Sequence, residues 1–203
     1  MNSNQIVKGI KHIYNNDIKI ARIIDVAGKC ELKPHKNYYY SLLKAIVGQQ
    51  LSLKAAASIN KKIFSFYKGK PSANKILAEE NQTLRNLGLS WAKVKYVKDL
   101  SQKIVNKEIH FRNINNKSNE EIIVELTKVK GIGIWTVHMF LIFTLGRLNV
   151  LPINDLGLKN AIKNIYGLRK IPTETKIKKI ARQNGWEPYP TIASWFLWKS
   201  LEI

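Results

Sequence analysis

Apolar residues recur at three- and four-residue spacing through almost the whole chain, and that periodicity commits it to helices. Ile6, Ile10 and Ile13 open one stripe, and Ala55, Ile59, Ile63 and Phe66 mark another. Val94, Val97, Leu100 and Ile104 give a third. Ile122, Leu126 and Val129 give a fourth, preceded by Ser118 with Glu121 three residues on, the pattern of a capping box. Further helices fit residues 154–166, 173–183 and 191–201. No segment shows sustained two-residue alternation between hairpin turns, so no sheet is expected. The breaks are short, as at Gly69–Pro71, Leu87–Ser90, Gly131–Gly133, Gly167–Pro172 and Gly185–Pro190, and there is no long linker or internal repeat. The pattern predicts an all-α protein.

At 203 residues the chain is long enough for one compact domain with a real core. A hydrophobic content of 45% and an aromatic content of 9% argue against a disordered basic tail. The single Cys30 excludes a disulfide framework and any metal cluster held by several thiolates. The start, MNSNQIVKGIKHI, lacks the apolar run of a signal peptide. The most apolar stretch, Gly131–Gly146, is 16 residues long and contains His138, short of the ~20 residues of a membrane span. An intracellular protein, cytoplasmic or associated with the nucleoid or nucleus, with no membrane partner is the expectation.

Lys and Arg number 34 against 14 Asp and Glu, a formal charge of +20. Such a balance points to a polyanionic partner, most simply nucleic acid. Most of the cations are Lys, whose codons, like those of Ile and Asn, are rich in A and T, so genomic base composition can inflate the lysine count. It does not by itself suppress the acids.

The most specific segment is LTKVKGIGIWTVHMFLIFTLG, residues 126–146. A helix is expected to end at the Val129–Lys130 step, Gly131-Ile132-Gly133 to turn the chain, and a second apolar helix to follow. Two glycines around one aliphatic residue allow a tight turn and close approach to a neighbour. The N–H groups that open the next helix suit a phosphate, while Ile132 would plug the hairpin into the core. An ordinary helical corner is the plain alternative. Nine residues after Gly146 stands Asp155, within VLPINDLGLKNAI, where a helix cap or a partner for Lys159 is the plain alternative to a functional carboxylate.

Four blocks, AIVGQQLSLKAA (45–56), LGLSWAKVKYVKDLS (87–101), residues 126–162 and WEPYPTIASWFLWK (186–199), together resemble the helix-hairpin-helix DNA glycosylase superfamily. The similarity is greatest to its alkylbase branch, DNA-3-methyladenine glycosylase II. The resemblance implies two helical lobes with a cleft between them, one about 40–146 with the hairpin at 126–146, the other about 1–39 plus 147–203. An additional N-terminal α/β domain found in larger relatives would be absent.

By the same resemblance Asp155, not Asn154, takes the catalytic position, at the mouth of the cleft. Trp135 stands where strand-cleaving relatives carry a lysine nucleophile, so monofunctional hydrolysis is implied. Trp135, Trp198 and Met139 would line the substrate pocket, Met139 replacing a Tyr of some relatives; of the ambiguous run Tyr38, Tyr39 and Tyr40, Tyr39 is the residue assigned to the pocket. Gln49 and Gln50 match the loop that fills the gap left by the flipped nucleotide. Lys130, Gly131, Ile132, Gly133 and Thr136 would bind DNA, and the carbonyls of Thr127, Val129 and Ile132 stand where relatives hold a monovalent cation. Trp186, Trp195 and Phe196 are expected in the core and His138 packed or hydrogen-bonded. The implied function is removal of alkylated purines from double-stranded DNA by a monomer, without a cofactor. The alternatives are a non-catalytic DNA-binding module and a glycosylase for other damaged bases.

Overall fold

Every regular element among residues 3–203, those described by the computed structural model, is helical. In chain order these are α1 (Ser3–Asn16), α2 (Ile18–Ala27), α3 (Tyr38–Gly48), α4 (Leu53–Phe66), α5 (Ala73–Ala78), α6 (Asn81–Asn86) and α7 (Trp91–Val105). After a 3₁₀ turn at Ile114–Asn116 follow α8 (Asn119–Leu126) and α9 (Ile134–Met139), which runs into a π-helical turn at Phe140–Thr144. The chain closes with α10 (Leu156–Ile165), α11 (Glu174–Gln183) and α12 (Pro190–Lys199). None of these helices is long and apolar enough to cross a membrane.

Side-chain caps set most of the starts. Ser52, Ser72, Ser90, Ser118, Asp155 and Thr173 each accept a backbone N–H from the first turn of the helix that follows. Each such cap stabilises its helix by ~1 kcal/mol. At α8 the capping box is complete, with the Glu121 carboxylate returning to the Ser118 N–H.

The chain divides into two compact units, residues 36–140 and the segments up to His35 and from Leu141 to Ile203. In the first, α3 packs on α4 and α7, α5 and α6 pack on α7, and α8 packs on α9. Leu42, Leu43, Ile46, Ile63, Leu84 and Leu100 form its buried centre. The apolar stripe of α7 turns Val94, Val97 and Leu100 inward, as the spacing predicts. In the second unit α12 packs on α1, α2 and α10 around Ile13, Ile20, Leu158, Ile192 and Phe196.

Asp17 joins these helices and gave no signal in the sequence. It is 0% exposed and caps α2, accepting the N–H groups of Lys19 at 3.0 Å and Ile20 at 3.2 Å. Its other oxygen accepts the Trp186 indole N–H at 2.8 Å and the Tyr166 hydroxyl. Burial, with the carboxylate beside it, pushes the Tyr166 hydroxyl pKa well up, so the phenol stays a donor. Trp186 and Phe196 are core residues, as expected.

Two local details differ from the sequence expectation. Helix α8 ends at Leu126, not at Val129–Lys130. Thr127 turns both its N–H and its hydroxyl onto the Ile123 carbonyl, and Lys128 and Val129 then bond carbonyls three residues back, which winds the chain tightly. The helix after the hairpin is α-helical for six residues only before widening into the π turn.

Replacing Asp17 with Ala leaves an indole, a phenol and two amides without their buried acceptor. Such losses cost ~1–3 kcal/mol each where water cannot enter. Asp17→Ala should therefore lower the unfolding free energy by at least ~3 kcal/mol, read from urea denaturation.

Candidate active site

In the unit of residues 36–140, the hairpin is built from three fixed points. Ile132 is 4% exposed and plugs the turn into the core, as its sequence predicts. The Lys130 N–H, which a longer α8 would have used, donates to Asp99 Oδ2 at 2.8 Å. Gly131 takes φ +82°, and a Cβ there would lie 2.3 Å from the Tyr96 ring, so only glycine fits. At Gly133 a Cβ would meet open space, and the next residues, Ile134 and Trp135, are exposed.

The loop after α3 comes to the same place. Gln49 donates its side-chain N–H to the Gly131 carbonyl at 2.7 Å. Gln50 is exposed with φ +55°, a conformation few non-glycine residues adopt. Lys93, on α7, donates to the carbonyls of Val47 and Gln49, both at 2.8 Å.

A cavity of about 810 Å³ opens here. It brings together Gln49, Gln50, Gly131, Gly133, Trp135, Thr136 and Met139 of the residues expected to act. Lys130 lines a neighbouring cavity of about 740 Å³ with Trp91, Lys95 and Asp99. Tyr39 lies in neither: its hydroxyl bonds Ser101 at 2.8 Å, and it lines a smaller recess with Tyr38 and Phe111. Burial pushes the Tyr39 pKa up. His138 is half-buried and its Nδ1 has no hydrogen-bond partner, so burial holds its pKa below the usual imidazole value.

Asp155 belongs to the other unit. It caps α10, with Oδ1 accepting the Leu158 N–H at 2.6 Å and the Trp198 indole N–H at 2.7 Å. The Lys159 N–H bonds the Asp155 carbonyl at 3.0 Å in the helical ladder. The Trp198 ring stacks on Phe143, with centroids 5.7 Å apart and planes at 29°. Gly157 allows this approach, since a Cβ there would lie 3.1 Å from Asp155 Oδ1 and 3.4 Å from Trp198 Cδ1.

The segment leading to Asp155 is held by a buried residue that sequence reasoning missed. The Thr191 hydroxyl reaches the Arg147 carbonyl at 2.8 Å and both backbone groups of Val150 at 3.0 Å. The Thr191 N–H adds a bond to the Leu148 carbonyl. One threonine at the start of α12 carries no pattern that distinguishes it from an ordinary helix residue. Lys93 was missed for a related reason, being one lysine in a chain full of them.

Comparisons with known proteins identify the family. Residues 43–188 match the HhH-GPD family, described as HhH-GPD superfamily base excision DNA repair protein. The chain is 33% identical over 195 residues to the alkylbase DNA glycosidase-like protein mag2 of Schizosaccharomyces pombe, covering 93% of this chain and 91% of that one. The solved structure of the 3-methyladenine DNA glycosylase Mag1 of the same yeast, in complex with abasic DNA, superposes with a TM-score of 0.86 at 31% identity, covering 97% of each chain. A DNA-3-methyladenine glycosidase from Bacillus halodurans superposes with a TM-score of 0.84 at 31% identity, covering 95% of this chain and 88% of that one.

The two hairpin glycines should respond differently to the same change. Gly131→Ala forces a strained backbone and a clash with Tyr96, at a cost of roughly 2–4 kcal/mol. Gly133→Ala should stay within ~1 kcal/mol of the parent. Thermal melts of the two variants check the difference.

Proposed function

The chain belongs to the HhH-GPD superfamily of base excision DNA repair proteins, and on that premise we propose that it hydrolyses the N-glycosidic bond of alkylated purines in double-stranded DNA. The 3-methyladenine and 7-methylguanine type is the substrate class. The observation that carries this reading is the Asp155 carboxylate, held at the N-terminus of α10 by the Leu158 N–H and the Trp198 indole.

A base inside the duplex is out of reach, so its nucleotide must first swing out of the stack. Gln50, at the tip of the loop after α3, is the group to enter the vacated space, since an amide can replace lost base-pair hydrogen bonds. The N–H groups after Gly133 and the Lys130 side chain hold backbone phosphate. The surplus of 34 cations over 14 acids draws DNA in and makes binding sensitive to salt.

Bond cleavage builds positive charge on the sugar as the base leaves. A carboxylate fixed beforehand stabilises that charge without having to reorient. Asp155 takes this role and orients the attacking water. An alkylated purine is itself cationic, which makes it a good leaving group and favours contact with an aromatic face. Trp135, 45% exposed on the cavity wall, offers such a face, with the polarizable Met139 beside it.

Trp135 has no amine with which to form a Schiff base, so the products are free base and an uncut strand with an abasic site. The carbonyls of Thr127, Val129 and Ile132 are hard, uncharged oxygens that fit a monovalent cation. The Val129 oxygen accepts the Ile132 N–H at 3.1 Å and has a second lone pair to offer. A cation bound there would add positive charge for a phosphate. We place the protein inside the cell, acting on DNA as a monomer.

Release of free methylpurines from methylated duplex DNA is the test. Asp155→Asn should slow release by ~10²–10³-fold with DNA affinity kept. If neither protein releases a base and both bind, the chain is a DNA-binding module instead. Borohydride should trap no covalent adduct with the wild type. Gly133→Asp, which meets open space within the protein, should weaken DNA binding at matched salt without lowering the melting temperature.

A further inference from the structure

Lys93 occupies an unfavourable place for its own helix. It is the third residue of α7, whose cap Ser90 accepts the Lys93 N–H at 3.2 Å. A cation in the first turn opposes the helix dipole. Desolvation also works against the ammonium, pushing its pKa below the ordinary lysine value. What offsets both penalties is another helix: the ammonium meets the C-terminal end of α3 through the Val47 and Gln49 carbonyls, both at 2.8 Å.

The second of those carbonyls belongs to the Gln49–Gln50 peptide. Rotation of that peptide would swing Gln50, which is already held at φ +55°. On the other side, the Gln49 side chain is tied to the Gly131 carbonyl of the hairpin. Gln50 thus projects from a peptide whose carbonyl takes a charge-assisted bond, next to a residue whose side chain is tied to the hairpin.

We propose that Lys93 is a positioning residue, which locks the Gln49–Gln50 peptide so that Gln50 enters the space left in the duplex when the damaged nucleotide swings out. The proposal rests on the base-excision reading above. It assigns Lys93 no contact with the reacting atoms. Its effect is on opening a paired lesion, not on cleaving the bond.

Lys98, one and a half turns further along α7, is an internal control. Its ammonium binds the Leu77 and Glu79 carbonyls at the end of α5 in the same manner, away from the loop after α3. Its removal should cost stability as the removal of Lys93 does, without touching Gln50.

The test is single-turnover release of a methylated purine from two duplexes by the full chain. In one duplex the lesion faces its normal partner; in the other it faces an abasic-site analogue and is already unpaired. Lys93→Met and Lys93→Gln should slow release from the paired duplex roughly tenfold or more, while release from the unpaired one stays within about twofold. Lys93→Arg, which keeps the cation, should restore most of the paired rate, and Lys98→Met should leave the ratio of the two rates unchanged. Equal loss on both duplexes, or none on either, overturns the proposal, as does failure of both neutral variants to fold, since Lys93 would then serve the fold alone. If the wild type releases base from neither duplex, the base-excision reading itself fails and the role given to Lys93 goes with it.

Discussion

A carboxylate with no exposed surface ties together parts of the chain that are 149 and 169 residues apart in sequence. Asp17 starts α2, receives Tyr166 from the end of α10 and receives Trp186 from the turn before α12. A buried charge is tolerated only where its lone pairs are filled, and here four donors fill them. The unit that carries Asp155 is discontinuous in sequence, so something must select this association of its two segments over other apolar contacts. Apolar packing is non-directional, whereas the Asp17 bonds accept one geometry.

Asp155 repeats the device in a more open setting. It too is a capping aspartate that takes an indole N–H, and the sequence alone left open whether it was a cap or a functional group. The cap would serve the catalytic role proposed for it. The cap fixes χ1 of the side chain, Trp198 fixes the oxygen, Gly157 leaves room for the indole, and Thr191 secures the preceding strand of backbone. A carboxylate restrained in this way has little freedom left to lose, which is what electrostatic catalysis requires of it.

The helical class, the capping box at Ser118 and the buried Ile132 were all legible because each is a local matter of spacing or steric demand. The end of α8 was not, since the apolar residue Val129 continues the stripe while the backbone tightens to three-residue bonds at Lys128 and Val129 and Asp99 takes the Lys130 N–H. Short α5 and α6 carry too few turns for a period to register, and α2 begins directly after α1 with only Asp17 between. Among the three consecutive tyrosines the sequence could not say which way each faces: the Tyr39 hydroxyl bonds Ser101, in a recess apart from the cavity that gathers Trp135 and Met139. Asp17, Lys93 and Thr191 act through partners distant in sequence, and no single-sequence pattern marks them.

The excess of lysine also has a structural consequence. With few acids available, ammonium groups find their acceptors at helix C-termini, where carbonyls lack intrahelical partners. Lys19 reaches the Ile165 carbonyl at the end of α10, Lys98 the end of α5, and Lys93 the end of α3. Each bond satisfies orphan acceptors and places a cation at the negative end of a helix dipole. These lysines are engaged within the fold, so net charge alone overstates how many cations face DNA. The distinction matters most at Lys93, where the carbonyl it holds belongs to the peptide that aims Gln50. There a lysine on the wall of the cavity that gathers Gln49 and Gln50 serves geometry, by holding the peptide from which Gln50 projects.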